Sequence, residues 1–324
     1  MNNYKNKNIG ILGLGLSGRS AIKFFRENSK KLIVWDDLKT ARTKVIDDKI
    51  NILDLNVYNN LKLLDLLFVS PGVNPNHSVI KLAKKYNINI AGDLDIFWQC
   101  ESDNKNRFII ITGSNGKSTV TSIIHHLLIS SKKNSVIGGN IGLPVLNLIP
   151  NKMPAIYVIE ASSFQLNLAK QIKPNISILT NITPDHIDWH GSFKKYIHAK
   201  ENLFLNQDVN DLAIINIDNS ECSKLVKKIN KREIKPNIIK ISKYKRLNNT
   251  IYIDGDKIYD NLANKNIFIA NISDISSLIG SHNIENILIS IATALYFGVT
   301  HSQIKKYLPA FKGLPNRLEV IYED

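Results

Sequence analysis

Two glycine-rich segments about a hundred residues apart are the parts of this sequence best suited to chemistry, and both point to phosphate. Gly13-Leu14-Gly15-Leu16-Ser17-Gly18 has the G-x-G-x-x-G spacing, directly after the apolar run Asn8 to Leu12 and before a helix-compatible Arg19 to Asn28. Glycines at those positions let backbone approach a pyrophosphate, and the following helix N-terminus offers N–H groups and a positive dipole end. Asp36 ends the next apolar run, where an acid accepts hydrogen bonds from a nucleotide's ribose or base. Alone, this motif leaves open a packing turn or a dehydrogenase. Thr112-Gly113-Ser114-Asn115-Gly116-Lys117-Ser118-Thr119 is more specific: it follows the apolar Phe108 to Ile111 and precedes the helix-like Val120 to Ser130. It fits G-x-x-x-x-G-K-[ST] except that Ile111 takes the first glycine position. Its amides and Lys117 would surround the phosphates of an NTP, with Ser118 or Thr119 reaching Mg²⁺. Two such loops suggest one NTP and one separate nucleotide-like substrate; a simple dehydrogenase has no use for the second.

Other polar residues gather at the ends of apolar runs. Glu160 ends Ile156 to Ile159, a position where α/β sheets place metal ligands and catalytic groups, or where an acid serves a helix dipole. His186, in Asp185-His186-Ile187-Asp188 with His190 nearby, is a candidate to ligate metal or polarise a substrate oxygen. Gly138-Gly139-Asn140-Ile141-Gly142 reads as a flexible turn bearing one amide. Lys200, among Lys194, Lys195 and Glu201, reads on its own chemistry as a solvated surface lysine. Ser281-His282-Asn283 and Pro315-Asn316-Arg317 place polar groups at element edges without deciding a role.

The elements that must hold these groups alternate between short apolar runs and amphipathic stretches, the pattern of parallel sheets flanked by helices. Strands are expected at Asn8–Leu12, Lys31–Trp35, Leu66–Val69, Phe108–Thr112, Ala155–Ile159, Ile176–Leu179 and Leu212–Ile215. An Asp254-Gly255-Asp256 turn predicts a β-hairpin over Thr250–Ile253 and Lys257–Tyr259. Helical periodicity runs over Phe193–Phe204 and Ser281–Phe297, and a strand-like Leu318–Tyr322 follows Gly313-Leu314-Pro315. The polar Glu101–Asn106 marks a domain boundary. The expected fold class is α/β: a Rossmann-like parallel-sheet domain over 1–98, then a P-loop NTPase-like central domain over 99–312 with a small antiparallel addition.

With 324 residues, 44% hydrophobic and 22% charged, the chain is not disordered, collagenous or membrane-spanning in composition. Its 42 Lys and Arg exceed 28 Asp and Glu, giving +14. That excess is spread along the chain as solvated faces, so no nucleic-acid partner is expected. Cys100 and Cys222 form no C-x-x-C pair, which argues against a disulfide framework or thiolate zinc site. Lys5 and Lys7 precede the apolar Ile9 to Leu16, but its glycines and Arg19 do not suit a signal peptide. No apolar run reaches the roughly 18 residues of a membrane span. The expectation is a cytoplasmic protein with no membrane partner.

The order of Gly13–Gly18, Ser70-Pro71-Gly72, Thr112–Thr119, Gly138–Gly142, Glu160 with Ser162-Ser163-Phe164-Gln165-Leu166, Asp185-His186, Ala199-Lys200, His282-Asn283 and Gly313–Arg317 resembles the Mur ligases over nearly the whole chain. The Gly-Ser-Asn-Gly-Lys-Ser-Thr loop and the Ser-Ser-Phe-Gln-Leu run point within them to the branch that joins D-glutamate to UDP-N-acetylmuramoyl-L-alanine. The resemblance implies a monomeric, ATP- and Mg²⁺-dependent amide ligase of peptidoglycan precursor synthesis, working through an acyl phosphate. Lys117 would bind the β and γ phosphates, and Gly113, Ser114, Asn115 and Gly116 would line the ATP site with Asn283 and Arg317. Ser118, Thr119, Glu160 and His186 would hold Mg²⁺, joined by Lys200 as a carbamate. Leu16, Ser17, Asp36, Ser70 and Asn140, with Ser162 and Gln165, would hold the UDP-sugar substrate. Ala161 and Trp189 depart from the family's common leucine and arginine, changes of packing or rim. The family also carries a third domain, which would begin at 313–324; its absence makes a non-catalytic nucleotide-binding fragment the competing expectation. A folylpolyglutamate-synthase-like ligase leaves the first loop without a role, and a nucleic-acid-binding ATPase requires steep salt dependence.

Overall fold

A computed structural model of the chain describes residues 4–45, 49–149, 153–278 and 280–313. The first sheet comprises β1 (Asn8–Leu12), β2 (Lys31–Trp35), β3 (Ile50–Ile52), β4 (Leu66–Val69) and β5 (Asn89–Ala91), all parallel, in the order β3-β2-β1-β4-β5. Parallel strands are covered on both faces and so read as unbroken apolar runs; all four residues of β4 are buried. Helices α1 (Leu16–Arg26), α2 (Lys39–Arg42), α3 (Tyr58–Leu61) and α4 (Ser78–Lys85) make the crossovers. On α1, Gly18, Ala21 and Phe25 recur at helical spacing and are buried.

Helix α5 (Asp93–Glu101) leads into a second parallel sheet, β6 (Arg107–Thr112), β7 (Ser135–Gly139), β8 (Ile156–Glu160), β9 (Ile176–Leu179), β10 (Leu212–Asn216) and β11 (Asn237–Ile241), in the order β11-β10-β9-β6-β8-β7. Around it lie α6 (Lys117–Ser130), α7 (Ser163–Leu168), α8 (Ile187–His190), α9 (Phe193–Glu201) and α10 (Ser220–Asn230). A three-stranded antiparallel sheet of β12 (Ile251–Asp254), β13 (Lys257–Asp260) and β14 (Ile267–Asn271) is the expected small addition, turning at Gly255 with φ +58°. Helices α11 (His282–Tyr296) and α12 (His301–Tyr307) pack against α6.

One of the three apolar clusters among the described residues spans both parallel sheets. Phe97 of α5 meets Phe108 and Tyr157 edge-on at ring-centroid distances of 5.8 and 5.0 Å, and Phe24, Phe25 and Leu146 belong to the same cluster. Among the described residues no helix is long and apolar enough to cross a membrane. The structure shifts some expected bounds. Helix α1 begins at Leu16 inside the glycine motif, and α6 begins at Lys117 inside the second loop. Gly138 and Gly139 are strand residues, so the turn expected there starts at Asn140. The expected strand Leu318–Tyr322 and the site residue Arg317 lie outside the described residues.

Candidate active site

Both loops sit where their sheet's strand order reverses, the crevice in which open α/β sheets bind ligands. In the first sheet, Gly13 follows β1 and Ser70 follows its neighbour β4. A methyl group added to Gly18 would lie 1.9 Å from the Gly13 carbonyl oxygen, and Gly13 itself has φ +88°, so both positions require glycine. Ser70 donates its hydroxyl to that carbonyl at 2.7 Å. Asp36 accepts from the Leu14 amide at 2.7 Å and the Leu38 amide at 2.9 Å. The loop therefore opens into a cavity of about 590 Å³, lined by Leu16, Ser17, Asp36 and Ser70 from the first sheet and Asn140, Ser162, Phe164 and Gln165 from the second. That volume lies in the range of small-molecule sites. Leu16 is 73% exposed, an apolar side chain available to a ring or base. All seven residues expected to hold the UDP-sugar thus meet in one cleft.

The second loop follows β6. Gly113 at φ +153° lies so close to β9 that a methyl there would fall 1.9 Å from Thr180 Oγ1, and one on Gly116 would fall 2.4 Å from Asn286 Oδ1. Thr180 and Asn181 pin the loop from outside: Thr180 Oγ1 donates to the Asn115 carbonyl at 2.6 Å, and Asn181 Oδ1 accepts from the Asn115 amide at 2.9 Å. Lys117 folds back to donate to the Gly113 and Ser114 carbonyls at 3.0 and 2.9 Å. Ser118 is buried and Thr119 half-buried on the first turn of α6. Asn283 is buried beside Asn286, whose Nδ2 donates to its Oδ1 at 3.1 Å.

Lys200 overturns the surface reading of its sequence neighbourhood. It is 1% exposed, and its Nζ donates to the Gly113 carbonyl at 2.8 Å, the same oxygen that Lys117 contacts, while lying 4.6 Å from the Tyr196 ring centroid. Burial, then the Lys117 charge, lowers its pKa from 10.5 to about 7. Glu160 ends β8 in register with Ile111. Its Oε1 accepts from Asn140 Nδ2 at 2.8 Å, and its buried Oε2 has no hydrogen-bond partner among the described residues. Gly139 permits this, because a methyl there would lie 2.2 Å from the Glu160 carbonyl oxygen.

His186 caps α8 in a left-handed conformation, φ +51°, with its ring 4.7 Å from Phe164 and Nε2 3.4 Å from Asp185 Oδ2. His190 is different: it is buried, its Nε2 pairs with Ser163 Oγ at 3.0 Å, and burial, Lys200 and His186 lower its pKa to about 4. It is a neutral structural ring. Among the described residues no three His, Cys, Asp or Glu side chains converge as a metal cage. The donors fit Mg²⁺ in another way, because this hard cation takes one or two protein carboxylates and fills its shell with phosphate oxygens and water. The unpartnered Glu160 Oε2 is such a carboxylate oxygen.

Sequence reasoning passed over Asp37 and His77, which pair at 2.9 Å on the cleft rim, and quoted Phe164 within its run without giving it a place in the cleft that it lines. It also missed Tyr196, whose hydroxyl pairs with Ser114 Oγ at 2.8 Å beneath Lys200, and Thr180, Asn181 and Asn286 around the second loop. The polar Thr180-Asn181 closing an apolar strand was an available signal; the others carry none.

Comparison with known proteins accords with this geometry. Residues 7–92 match the Mur ligase MurD-like N-terminal domain, and residues 111–294 the Mur ligase middle domain. The chain is 38% identical to the UDP-N-acetylmuramoylalanine--D-glutamate ligase of Rickettsia prowazekii (strain Madrid E), over 99% of this chain and 70% of the relative. It is 33% identical to the enzyme of the same name from Bartonella henselae, over 98% of this chain and 70% of the relative. Among solved structures, UDP-N-acetylmuramate:L-alanyl-gamma-D-glutamyl-meso-diaminopimelate ligase from Neisseria meningitides superposes with a TM-score of 0.64 at 16% identity, covering 96% of this chain and all of that one. The UDP-N-acetylmuramate-alanine ligase MurC from Thermotoga maritima gives 0.52 at 19%, over 98% of this chain and 72% of that one. At these identities the likeness is one of fold.

Proposed function

Because the chain belongs to the Mur ligase family, whose members are ATP-dependent ligases, we propose that it carries the substrate- and ATP-binding parts of an enzyme that joins D-glutamate to UDP-N-acetylmuramoyl-L-alanine. The observation that carries this reading is the cleft itself. It runs from the glycine loop of the first sheet to Asn140, and Asn140 holds Glu160 on the strand beside the P-loop strand. A uridine nucleotide seated on Gly13–Gly18 would extend its sugar and alanyl carboxylate toward the phosphates held at Gly113–Thr119.

The reaction then needs positioning and charge neutralisation more than covalent participation by the protein. A carboxylate oxygen of the substrate attacks the γ-phosphorus, the bond to the ADP oxygen breaks, and an acyl phosphate forms. The amine nitrogen of D-glutamate attacks the acyl carbon and loses a proton; phosphate leaves, and an amide remains. Lys117 and the loop amides bind the phosphates and hold them in line. Glu160, His186, Ser118 and Thr119 would hold Mg²⁺, which would supply charge neutralisation at the transferring group. Lys200, with its pKa lowered to about 7, presents a substantial unprotonated fraction of its amine to dissolved CO₂ at neutral pH. Addition to that neutral amine gives an N-carboxylate and releases one proton, and the resulting anion would join the ligands that hold Mg²⁺. We assign residues 1–98 to substrate binding, residues 99–312 to ATP binding, and the whole to the cytoplasm as a monomer.

The test is phosphate release from ATP by the whole protein. It is expected only with both UDP-N-acetylmuramoyl-L-alanine and D-glutamate present, and equal turnover with L-alanine or diaminopimelate in place of D-glutamate overturns the assignment.

A further inference from the structure

Resting on the uridine-nucleotide reading of the cleft, we infer that Asp93 is a positioning residue: its buried carboxylate ties Ser17 of the glycine loop to Gln165 on the facing wall and so fixes the width of the site. Asp93 opens helix α5 and is 1% exposed. It does not line the cavity, whereas Ser17 and Gln165 both do. Its Oδ1 accepts from the Leu94 amide at 2.9 Å; its Oδ2 accepts from Gln165 Nε2 at 2.9 Å and faces Ser17 Oγ at 3.4 Å.

The orientation of the Gln165 amide is fixed from its other end. Its Oε1 accepts from the Ser162 amide at 3.0 Å and Ser162 Oγ at 3.2 Å, one half of a capping box that starts α7. Only Nε2 remains to turn toward Asp93, and a donor there requires an acceptor opposite it. Helix α5 is in turn held to the second sheet. Asp95 accepts from the Lys170 and Gln171 amides at 3.0 and 2.9 Å, and Glu101 accepts from Tyr157 Oη at 3.1 Å. Of these three acids, Asp93 is the one that also reaches the first sheet's loop. A full carboxylate buried only to start a helix would be costly, because burial raises the Asp93 pKa against the pull of its hydrogen bonds. A neutral Asn at this first helical position, after the Gly92 cap, would accept from the Leu94 amide without charge.

The test exploits polarity. Asp93→Asn places an amide against the Gln165 amide, donor facing donor. Gln165→Glu places two carboxylates face to face. The double variant Asp93→Asn/Gln165→Glu restores every pair at unchanged net charge: the amide introduced on α5 donates, while the carboxylate introduced on α7 accepts from it and from Ser162. Binding of uridine diphosphate and of MgATP is measured by calorimetry on the whole chain, with thermal unfolding alongside. Each single variant is expected to weaken uridine diphosphate about tenfold or more, with MgATP affinity kept within about twofold of wild type. The double variant is expected to recover most of the lost affinity.

Unchanged uridine diphosphate affinity in both single variants overturns the inference. Parallel loss of both nucleotides also overturns it, since that is the mark of a general defect, as does a folded double variant without recovery. If the single variants do not fold, the double variant decides alone: wild-type-like affinity supports the bridge, and lost affinity refutes it. A wild-type chain that does not bind uridine diphosphate removes the underlying reading of the cleft, and the inference with it; a wild type that binds, beside indifferent variants, removes the inference only.

Discussion

The buried Lys200 makes a prediction about stability that is independent of any substrate. Its pKa is lowered from 10.5 to about 7 because the ammonium is buried and faces the Lys117 charge. Between those two values the unfolded chain binds one more proton at this site than the native chain. Native stability from this group therefore rises with pH across that window and falls as pH drops toward 7. The slope approaches about 1.4 kcal/mol per pH unit. Allowing for partial protonation of the native amine near pH 7.5, the gain is about 2 to 3 kcal/mol between pH 7.5 and 9.5. Other titrating groups contribute as well, so the quantity to measure is a difference. Wild type and Lys200→Met are unfolded in urea at pH 7.5, 8.5 and 9.5, in buffers stripped of CO₂. The wild type should gain on the variant by that amount as pH rises. Added bicarbonate should stabilise the wild type further and leave the variant unmoved, because only an amine can form the carbamate and only the native site would favour it. A gap that stays constant across the three pH values would show that the ammonium is as comfortable in the fold as in water, and the electrostatic reading of Lys200 would fail.

Three further outcomes follow from the same geometry. Lys117→Ala should weaken MgATP by about two orders of magnitude, as expected for removing a phosphate-binding cation, while calorimetry with uridine diphosphate shows no change; equal weakening of both ligands would contradict separate sites. Gly18→Ala forces a methyl to within 1.9 Å of the Gly13 carbonyl oxygen. It should cost about 2 to 4 kcal/mol in urea unfolding and abolish uridine diphosphate binding, and a wild-type-like titration would refute the close packing. Glu160→Gln replaces a buried carboxylate whose Oε2 has no partner among the described residues. Its melting temperature should hold or rise while Mg²⁺-dependent turnover falls at least a hundredfold; a destabilised but active variant would reverse the assignment.

The central strands were legible because parallel strands covered on both faces show as plain apolar runs, and β1, β2, β4 and β9 lie at the bounds the runs predict. Short peripheral strands were not. Both β3, Ile50-Asn51-Ile52, and β5, Asn89-Ile90-Ala91, are three residues long, partly exposed and placed at sheet edges, so neither has a pattern separable from a loop. The site divides the same way. Glycine loops announce themselves because phosphate chemistry demands backbone close to a ligand. Lys200 does not, because its flanking Lys194 and Lys195 describe only the outer face of α9, and its burial is decided by Thr112 and Gly113 from a strand some ninety residues earlier. Asp93 was silent for a related reason: nothing in Asp93-Leu94-Asp95 tells that its partners are Ser17 and Gln165.

The features that cost this fold stability are also those that suit it to ligation. A lysine beside a second lysine on one carbonyl oxygen, and a carboxylate oxygen with no donor among the described residues, are arrangements that a domain selected for stability alone would replace with apolar side chains. Each becomes reasonable when the groups it faces are anionic phosphates and a divalent cation. The lowered pKa of Lys200 leaves part of its amine unprotonated for CO₂, and the carboxylation proposed above would set a negative charge beside Lys117 in place of a like one. Within the +14 excess, the two cations that share the Gly113 carbonyl repel each other, and anionic phosphates bound at the second loop would relieve that repulsion.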